Sequence, residues 1–469
     1  VALAIWIGGP AAIFWMWITA IFGMTTKFVE VTLAHKYRTT LSDGSISGGP
    51  MYYIEKSFNM RSAGVLFAAL MMICAIGSGN MPQINNIAGV LDSAFSIPKL
   101  ATGLILGIML WLIISGGIKR IAKIASRLVP VMAVIYFGGA LVVVIENYHN
   151  IIPSFNSIFS QVFSGSAAVG GFLGASFAMS LKLGVARGLY SNEAGQGSSP
   201  IAHASAKTEH SIEQGMVSIL EPFIDTIVVC SVTALVILSS GAWTQKYENT
   251  FERSSMAIFV GEYNESNKND VEELGKYILD ARKFTNNTSA VENFSGDLNI
   301  ISGELEQDGI TIFHNNSIAE DVRFYKQNIL YDGTIEINDG VISDNSIQVK
   351  GKSLIHSAEL TSKAFGSGIL GLYGEYIVAI GLLLFAFSTA IAWSYYGDRS
   401  TAYIFGETAV PWYRMLYVIC FIAAAIIDTT VIWNIAYVVV ALVTIPNLFA
   451  MFLLRKEMRE QVDNYVVEK

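Results

Sequence analysis

Ser388 and Thr389 are adjacent hydroxyls in the middle of the apolar run 373–396. There a hydroxyl either back-bonds to the carbonyl one turn earlier or offers a hard oxygen to a cation. With a few carbonyls from elsewhere, the pair suits sodium. Trp393 follows Thr389 by four residues and shares its helical face, an aromatic wall beside such a site. Asn80 and Gln83 stand at i and i+3 near the outer end of the run 63–91. Uncharged amides at that position either receive a zwitterion or bond between helices. Glu221 and Asp225 are i and i+4 in the run 213–240, and carboxylates inside apolar segments are functional candidates. Glu221 precedes Pro222 near one end of its segment. Pairing with Arg187, or capping freed backbone groups, therefore competes with a gating or proton role.

A second set of candidates is made of glycines. The run 166–184 opens Ser-Ala-Ala-Val-Gly-Gly-Phe-Leu-Gly-Ala-Ser-Phe-Ala-Met, with Gly170, Gly171 and Gly174 close together. Small residues let helices pack closely. Alternatively the helix unwinds here and turns backbone groups toward a ligand, which is tolerated only against protein or a wet cavity. No Walker, HExxH or GxSxG pattern occurs, and His203 with His210 lacks metal spacing. No enzyme activity is expected.

The elements that must position these groups are membrane helices. The chain is 52% hydrophobic and 14% charged, against about 25% charged in soluble domains. After a fragment at 1–8, nine apolar spans can be drawn at about 11–34, 63–91, 100–117, 128–147, 166–184, 213–240, 373–396, 412–427 and 431–453. Cys74, Cys230 and Cys420 all fall in apolar runs and read as small buried hydrophobes. Lys and Arg collect in alternate loops: 35–62, 118–127, 185–212, 397–411 and the tail. The positive-inside rule places these in the cytoplasm. On that orientation the fragment 1–8 ends outside and the span 166–184 begins outside. The first and sixth helices then run in opposite directions, as a five-plus-five inverted repeat requires. The opening Val-Ala-Leu-Ala-Ile-Trp-Ile-Gly-Gly-Pro reads as the end of a helix, so an amino-terminal truncation is expected.

Residues 244–357 break the apolar pattern. Between 246 and 352 lie 19 of the 38 acids and 10 of the 30 bases, so the acidity of the chain belongs to this insert, on the outer face. Thr334-Ile-Glu-Ile-Asn and Ser346-Ile-Gln-Val-Lys alternate apolar and polar residues, with Asp-Gly pairs at 332 and 339. Period two with such turns predicts short strands. Residues 268–283 read as helix, and Asn-X-Ser/Thr triplets occur at Asn264, Asn286, Asn287, Asn293 and Asn315. The fold class that follows is an all-α polytopic membrane protein with a small polar α+β or β-rich extracellular insert. Its parts are a transmembrane core 1–243, the insert 244–357, core helices 358–454 and a cytoplasmic tail 455–469.

Between two apolar runs stands Arg187-Gly-Leu-Tyr-Ser-Asn-Glu-Ala-Gly-Gln-Gly197. With it go Gly8-Gly-Pro-Ala-Ala-Ile-Phe-Trp-Met-Trp17, Gly23-Met-Thr-Thr-Lys-Phe-Val-Glu30, Gly48-Gly-Pro-Met-Tyr-Tyr-Ile-Glu55, Phe223-Ile-Asp-Thr-Ile, Phe385 to Gly397 and Ile445-Pro-Asn-Leu448. In these segments the chain resembles the sodium:alanine/glycine symporter family of the amino acid–polyamine–organocation superfamily. The resemblance implies a LeuT-like fold and sodium-coupled uptake of small neutral amino acids, alanine and glycine, across the cell membrane by alternating access. It implies sodium between the first helix and Ser388/Thr389. Substrate would lie against the broken first and sixth helices, with Gly170, Gly171, Gly174, Phe177 and Met179 on the sixth and Trp393 beside it. The hairpin 185–212 would pack the inner gate without touching substrate. No nucleic acid partner is expected, and a partner for the insert is left open. Tyr437 and Val440 stand where the family pattern usually carries an Asp and an Asn, and the insert adds roughly 110 residues to a loop that is short in the family. Two other readings remain open: a proton-coupled relative with a shifted substrate, and a transporter-like sensor whose outer lobe binds a ligand.

Overall fold

The structure, a computed structural model, describes residues 1–41, 44–282 and 289–468. The triplets at Asn286 and Asn287 lie outside the described residues. Among the described residues, six helical segments are long and apolar enough to cross a membrane: Ala11–Lys36, Arg61–Asp92, Arg120–Glu146, Ser211–Ser239, Leu372–Phe405 and Thr429–Leu453. Their stops and starts follow local chemistry. Gly406, at φ 83°, follows the end of the 34-residue helix Leu372–Phe405, because glycine takes the left-handed conformation without a Cβ penalty. Asp428 opens Thr429–Leu453 by accepting from the Thr430 and Val431 amides at 2.8 and 3.2 Å, which satisfies two orphan donors of the first turn.

The expected spans 100–117 and 412–427 are shorter than drawn, as Lys99–Ile114 and Val410–Ala424. Sixteen residues rise only about 24 Å. The expected span 166–184 is corrected more deeply. Its helix begins at Phe177 and runs to Asn192. Upstream, Ser166 pairs with Ala175 and Val169 with Phe172 in antiparallel bridges. Gly165, Gly170 and Gly174 take φ of 86°, 58° and 92°, conformations that end a right-handed helix. Arg187, counted above among loop cations, therefore sits inside a helix.

The chain forms two compact units, Val1–Trp15, Val142–Ala186 and Thr233–Gly371 in one, Met16–Leu141, Arg187–Val232 and Leu372–Lys469 in the other. In the second, Tyr53, Phe67, Met71, Trp393, Tyr417 and Phe421 belong to one buried cluster. Ile105, Val134 and Phe452 are outward-facing, as expected of helices solvated by lipid. The long apolar segment 61–95 is interrupted: Arg61–Gly77 and Met81–Phe95 are separate helices.

In the first unit, among the described residues of 247–353, there are three antiparallel sheets. The strand orders are Ile329–Leu330, Glu320–Lys326, Ile347–Ser353, Tyr247–Thr250; then Val341–Ile342, Gly333–Asn338, Gly296–Ile301, Glu304–Leu305; and Met256–Val260, Ile310–His314, Ser317–Ile318. Register puts Ile335 opposite Leu298 and Val349 opposite Phe324. All four are buried in one core, and the residues between them along the strands point outward, the two-residue period of a one-faced sheet. Asp339 and Gly340, at φ 48° and 75°, form the two-residue turn between Gly333–Asn338 and Val341–Ile342. Asp332-Gly333 makes no such turn; the Asp332 carboxylate instead accepts from the Ser302 amide. Helix Lys268–Ala281 is capped by Asn267, whose side chain accepts from the Asn269 amide at 3.0 Å.

Candidate functional site

In the first unit the chain breaks twice. Helix Ala2–Gly8 ends at Gly9, φ 66°, ahead of Pro10. The Gly8 carbonyl, left over by that ending, accepts from the Ser180 hydroxyl at 2.6 Å and from Ser166 Oγ at 3.4 Å. Helix Phe177–Asn192 starts where the Ser176 hydroxyl accepts from the Met179 amide at 3.2 Å, a side-chain cap. The candidates Gly170, Gly171 and Gly174 lie in the non-helical stretch before it. The Gly171 amide donates to the Thr244 carbonyl at 2.8 Å, and a Cβ on Gly170 would meet that same carbonyl. Met179 is buried. Phe177 packs edge-on to Trp15 at 5.9 Å between centroids.

The other candidates lie in the second unit. Ser388 and Thr389 both donate to the Phe385 carbonyl, each at 2.9 Å, the back-bonded arrangement. Donation leaves their oxygen lone pairs available. Asn80 lies in the interruption of the segment 61–95. It is fully buried, its Nδ2 donates to the Tyr417 carbonyl at 2.7 Å, and its Oδ1 has no hydrogen-bond partner among the described residues. Gln83, one turn on, is half-buried. The Trp393 ring covers Gly79, where any Cβ would collide with it. Trp393 Nε1 donates to Glu193 Oε1 at 2.8 Å, which ties the helix Leu372–Phe405 to the glycine-rich hairpin.

That hairpin is the hub of a buried polar network. Glu193 Oε2 accepts from the Ser198 hydroxyl at 2.6 Å. Glu30, fully buried, accepts through Oε2 from the Gly197 amide at 3.2 Å and from Asn447 Nδ2 at 3.0 Å. Asn447 also donates to the Gly195 carbonyl at 2.9 Å and accepts from the Tyr53 hydroxyl. Gly197 has φ 73°, and a Cβ there would strike Pro50 and Phe67. Glycine is what lets this amide reach Glu30.

Lys27, 1% exposed, lies 3.1 Å from Glu221 and 3.7 Å from Glu30, and donates to Ser199. Glu221 accepts from His203 Nε2, and His203 Nδ1 accepts from Gln214 Nε2 at 2.5 Å. Pairing with Arg187 was one of the alternatives for Glu221; its partners here are Lys27 and His203. Asp225 accepts from the Ser191 and Thr226 hydroxyls. It sits in a π-helical stretch, Phe223–Val229, that follows Pro222. Proline has no amide to donate, and wide turns of this kind recur at functional sites.

Lys27, Glu30, Glu193 and Asn447 are functional candidates that only the fold brings together. The signal was present for the first two: a cation and an anion at i and i+3 inside a 26-residue apolar helix, where charge is rare and seldom idle.

Comparison with known sequences decides the family. The profile described as "Sodium:alanine symporter family" matches residues 1–266 and 340–469. The chain belongs to this family of symporters. It is a multi-pass membrane transporter, one of the sodium-coupled amino acid transporters, and not an enzyme. Among its relatives, the sodium/alanine symporter AgcS of Methanococcus maripaludis is 34% identical over 97% of this chain and 77% of its own length. A transporter of Haemophilus influenzae is 32% identical over 99% of this chain and 79% of its own. The probable sodium/glutamine symporter GlnT of Bacillus subtilis is 43% identical over 52% of this chain and 50% of its own. The symporter profile leaves out residues 267–339, the greater part of the strand-rich region.

Proposed function

We propose that this protein imports small neutral amino acids, alanine and glycine, in symport with sodium by alternating access on a LeuT-like five-plus-five repeat. The observation that carries the reading is the pair of helix interruptions at Gly8–Pro10 and Ser166–Ser176, whose freed backbone groups are held by Ser180, Ser166 and Ser176. Broken helices of this sort supply substrate and ion ligands in secondary transporters. Ser388 and Thr389 are the proposed sodium ligands. Their hydroxyl protons are already committed to Phe385, so both oxygens can face a hard cation. Gly170, Gly171, Gly174, Phe177, Met179, Asn80, Gln83 and Trp393 are the proposed substrate lining. The similarity to a sodium/alanine symporter supports this substrate class.

Glu221 and Asp225 are the proposed coupling groups, with Glu221 latched to Lys27. The hairpin 185–212 faces the cytoplasm in this proposal, and residues 244–357 form the extracellular lobe. The test is alanine uptake by proteoliposomes carrying the purified protein. Uptake is expected under an inward sodium gradient, to be absent when potassium replaces sodium, and to be lost in Thr389→Ala. Equal uptake from potassium and sodium media would overturn sodium coupling.

A further inference from the structure

Arg187 is a buried charge. It is 6% exposed, and among the described residues no carboxylate forms a salt bridge with it. Its guanidinium carbon instead lies 4.3 Å from the Trp433 ring centroid, 4.9 Å from Tyr437 and 6.0 Å from Tyr190. Trp433 is in ring contact with both tyrosines, at 5.1 Å to Tyr190 and 6.2 Å to Tyr437. The guanidinium hydrogen-bonds the Tyr437 hydroxyl. Cation–π contacts offset part of the cost of burying the charge, but they supply no acceptor for its N–H groups. Among the described residues Arg187 Nε has no hydrogen-bond partner, and neither has the buried Trp433 Nε1. Two orphan donors beside one uncompensated cation define a place for an anion. A buried donor left unmade is costly, and proteins keep such groups where a ligand completes them.

The shape of the donor set narrows the anion. Arginine presents a planar fork that matches a carboxylate in two parallel bonds. The three rings are half-buried while the guanidinium is buried, so the rings carry what exposure the box has. The box also adjoins the helix interruption. Tyr190, one turn beyond Arg187, donates to the Ser78 carbonyl at 3.1 Å. Two residues further along, Asn80 presents a fully buried oxygen with no partner. Orphan donors on Arg187 and Trp433 suit a carboxylate, and the orphan acceptor on Asn80 suits an ammonium group.

We propose that Arg187 is a carboxylate-binding residue of the transport path, taking a carboxylate of the transported amino acid in the box of Tyr190, Trp433 and Tyr437. The proposal rests on the transport reading above and adds a recognition element to it. For a neutral substrate this is the α-carboxylate; a side-chain carboxylate is the alternative source that the experiment separates from it.

The experiment is equilibrium binding of radiolabelled L-alanine to the purified full chain in sodium, with L-aspartate and its amide L-asparagine as competitors. Arg187→Met is expected to weaken binding at least tenfold. If alanine itself is weakened, the α-carboxylate is the ligand. If alanine is unchanged but aspartate loses its advantage over asparagine, the side-chain carboxylate is the ligand. Tyr437→Glu keeps the arginine and gives it an internal carboxylate, so it should reproduce the same loss, and it decides the matter should Arg187→Met fail to fold. Unchanged affinities for all three ligands in either folded variant overturn the proposal. If the unaltered chain binds neither alanine nor aspartate in sodium, the transport reading falls and this one with it, a result distinct from losses confined to the variants.

Discussion

Lys27 Nζ stands 3.1 Å from Glu221 Oε2, joining the apolar helix Ala11–Lys36 to the helical segment just before Pro222. Lys27 also lies 3.7 Å from Glu30. Removing it leaves the fully buried Glu30 without that cation and Glu221 with His203 alone, and breaking a buried pair by deleting one partner costs roughly 3 kcal/mol or more. Lys27→Met is therefore expected to lower the unfolding temperature of the purified protein and to cut sodium-driven alanine uptake more than tenfold. Adding Glu221→Gln should restore part of the stability, because the two sites are coupled. Additive losses in the double variant, read by thermal unfolding in detergent, would refute the pairing.

Gly197→Ala probes the hairpin. The backbone there is left-handed at φ 73°, and the new methyl would run into Pro50 and Phe67. The shift needed to relieve this pulls the Gly197 amide away from Glu30. A loss of roughly 2 kcal/mol is expected from strain and the weakened hydrogen bond. The comparison is Gly44→Ala, where φ is 77° but no atom of the described residues lies within 4 Å of the new Cβ. A thermal unfolding shift for Gly197→Ala no larger than for Gly44→Ala would show that the close approach is unimportant.

These two sites mark what could be seen in the sequence. Apolar runs such as 373–396 and 431–453 were legible because a membrane helix must be apolar along most of its length. Paired strands such as Gly296–Ile301 and Gly333–Asn338 were legible in part, through period-two alternation. The network around Glu30 was not, because its partners Gly197 and Asn447 lie 167 and 417 residues away. Short-range pattern carries no information at that separation. The glycines of the hairpin gave only a family signature; their physical job, bringing an amide to Glu30 and a carbonyl to Asn447, needs the folded chain. Arg187 was misread for the opposite reason. A lone arginine near a span end usually faces solvent, and only the packing of Trp433 and Tyr437 shows that this one does not.

Trp393 has two separable contributions, a ring covering Gly79 and an N–H donated to Glu193 at 2.8 Å. Trp393→Phe keeps most of the ring and removes the donor, leaving one Glu193 oxygen unsatisfied at a cost of about 1–3 kcal/mol. Trp393→Ala removes both and opens a cavity, for about 3–5 kcal/mol. In uptake assays the phenylalanine variant should keep measurable transport with a raised KM, and the alanine variant should be inactive. Equal impairment of the two would mean that the hydrogen bond alone matters.

His314 sets an acid limit on the strand-rich region. It is 1% exposed and stacks on Phe251 at 4.2 Å. Its Nε2 accepts from the Glu252 amide at 3.2 Å, and Nδ1 lies 2.7 Å from the Ser353 hydroxyl. One nitrogen must stay unprotonated to accept, so the ring is neutral in the fold. Burial, reinforced by nearby His356, pushes its pKa down to about 3, whereas an unfolded histidine titrates near 6.5. Between those values the unfolded chain binds the extra proton. The stabilisation is complete above about pH 6.5 and is lost progressively as pH falls toward 3. Hydrogen exchange of the peptide spanning Ile310–Ile318, corrected for the intrinsic pH dependence, should quicken between pH 7 and pH 4.5 in the intact protein. His314→Phe should reduce that acid sensitivity; acid sensitivity unchanged in the variant would place its origin in another group.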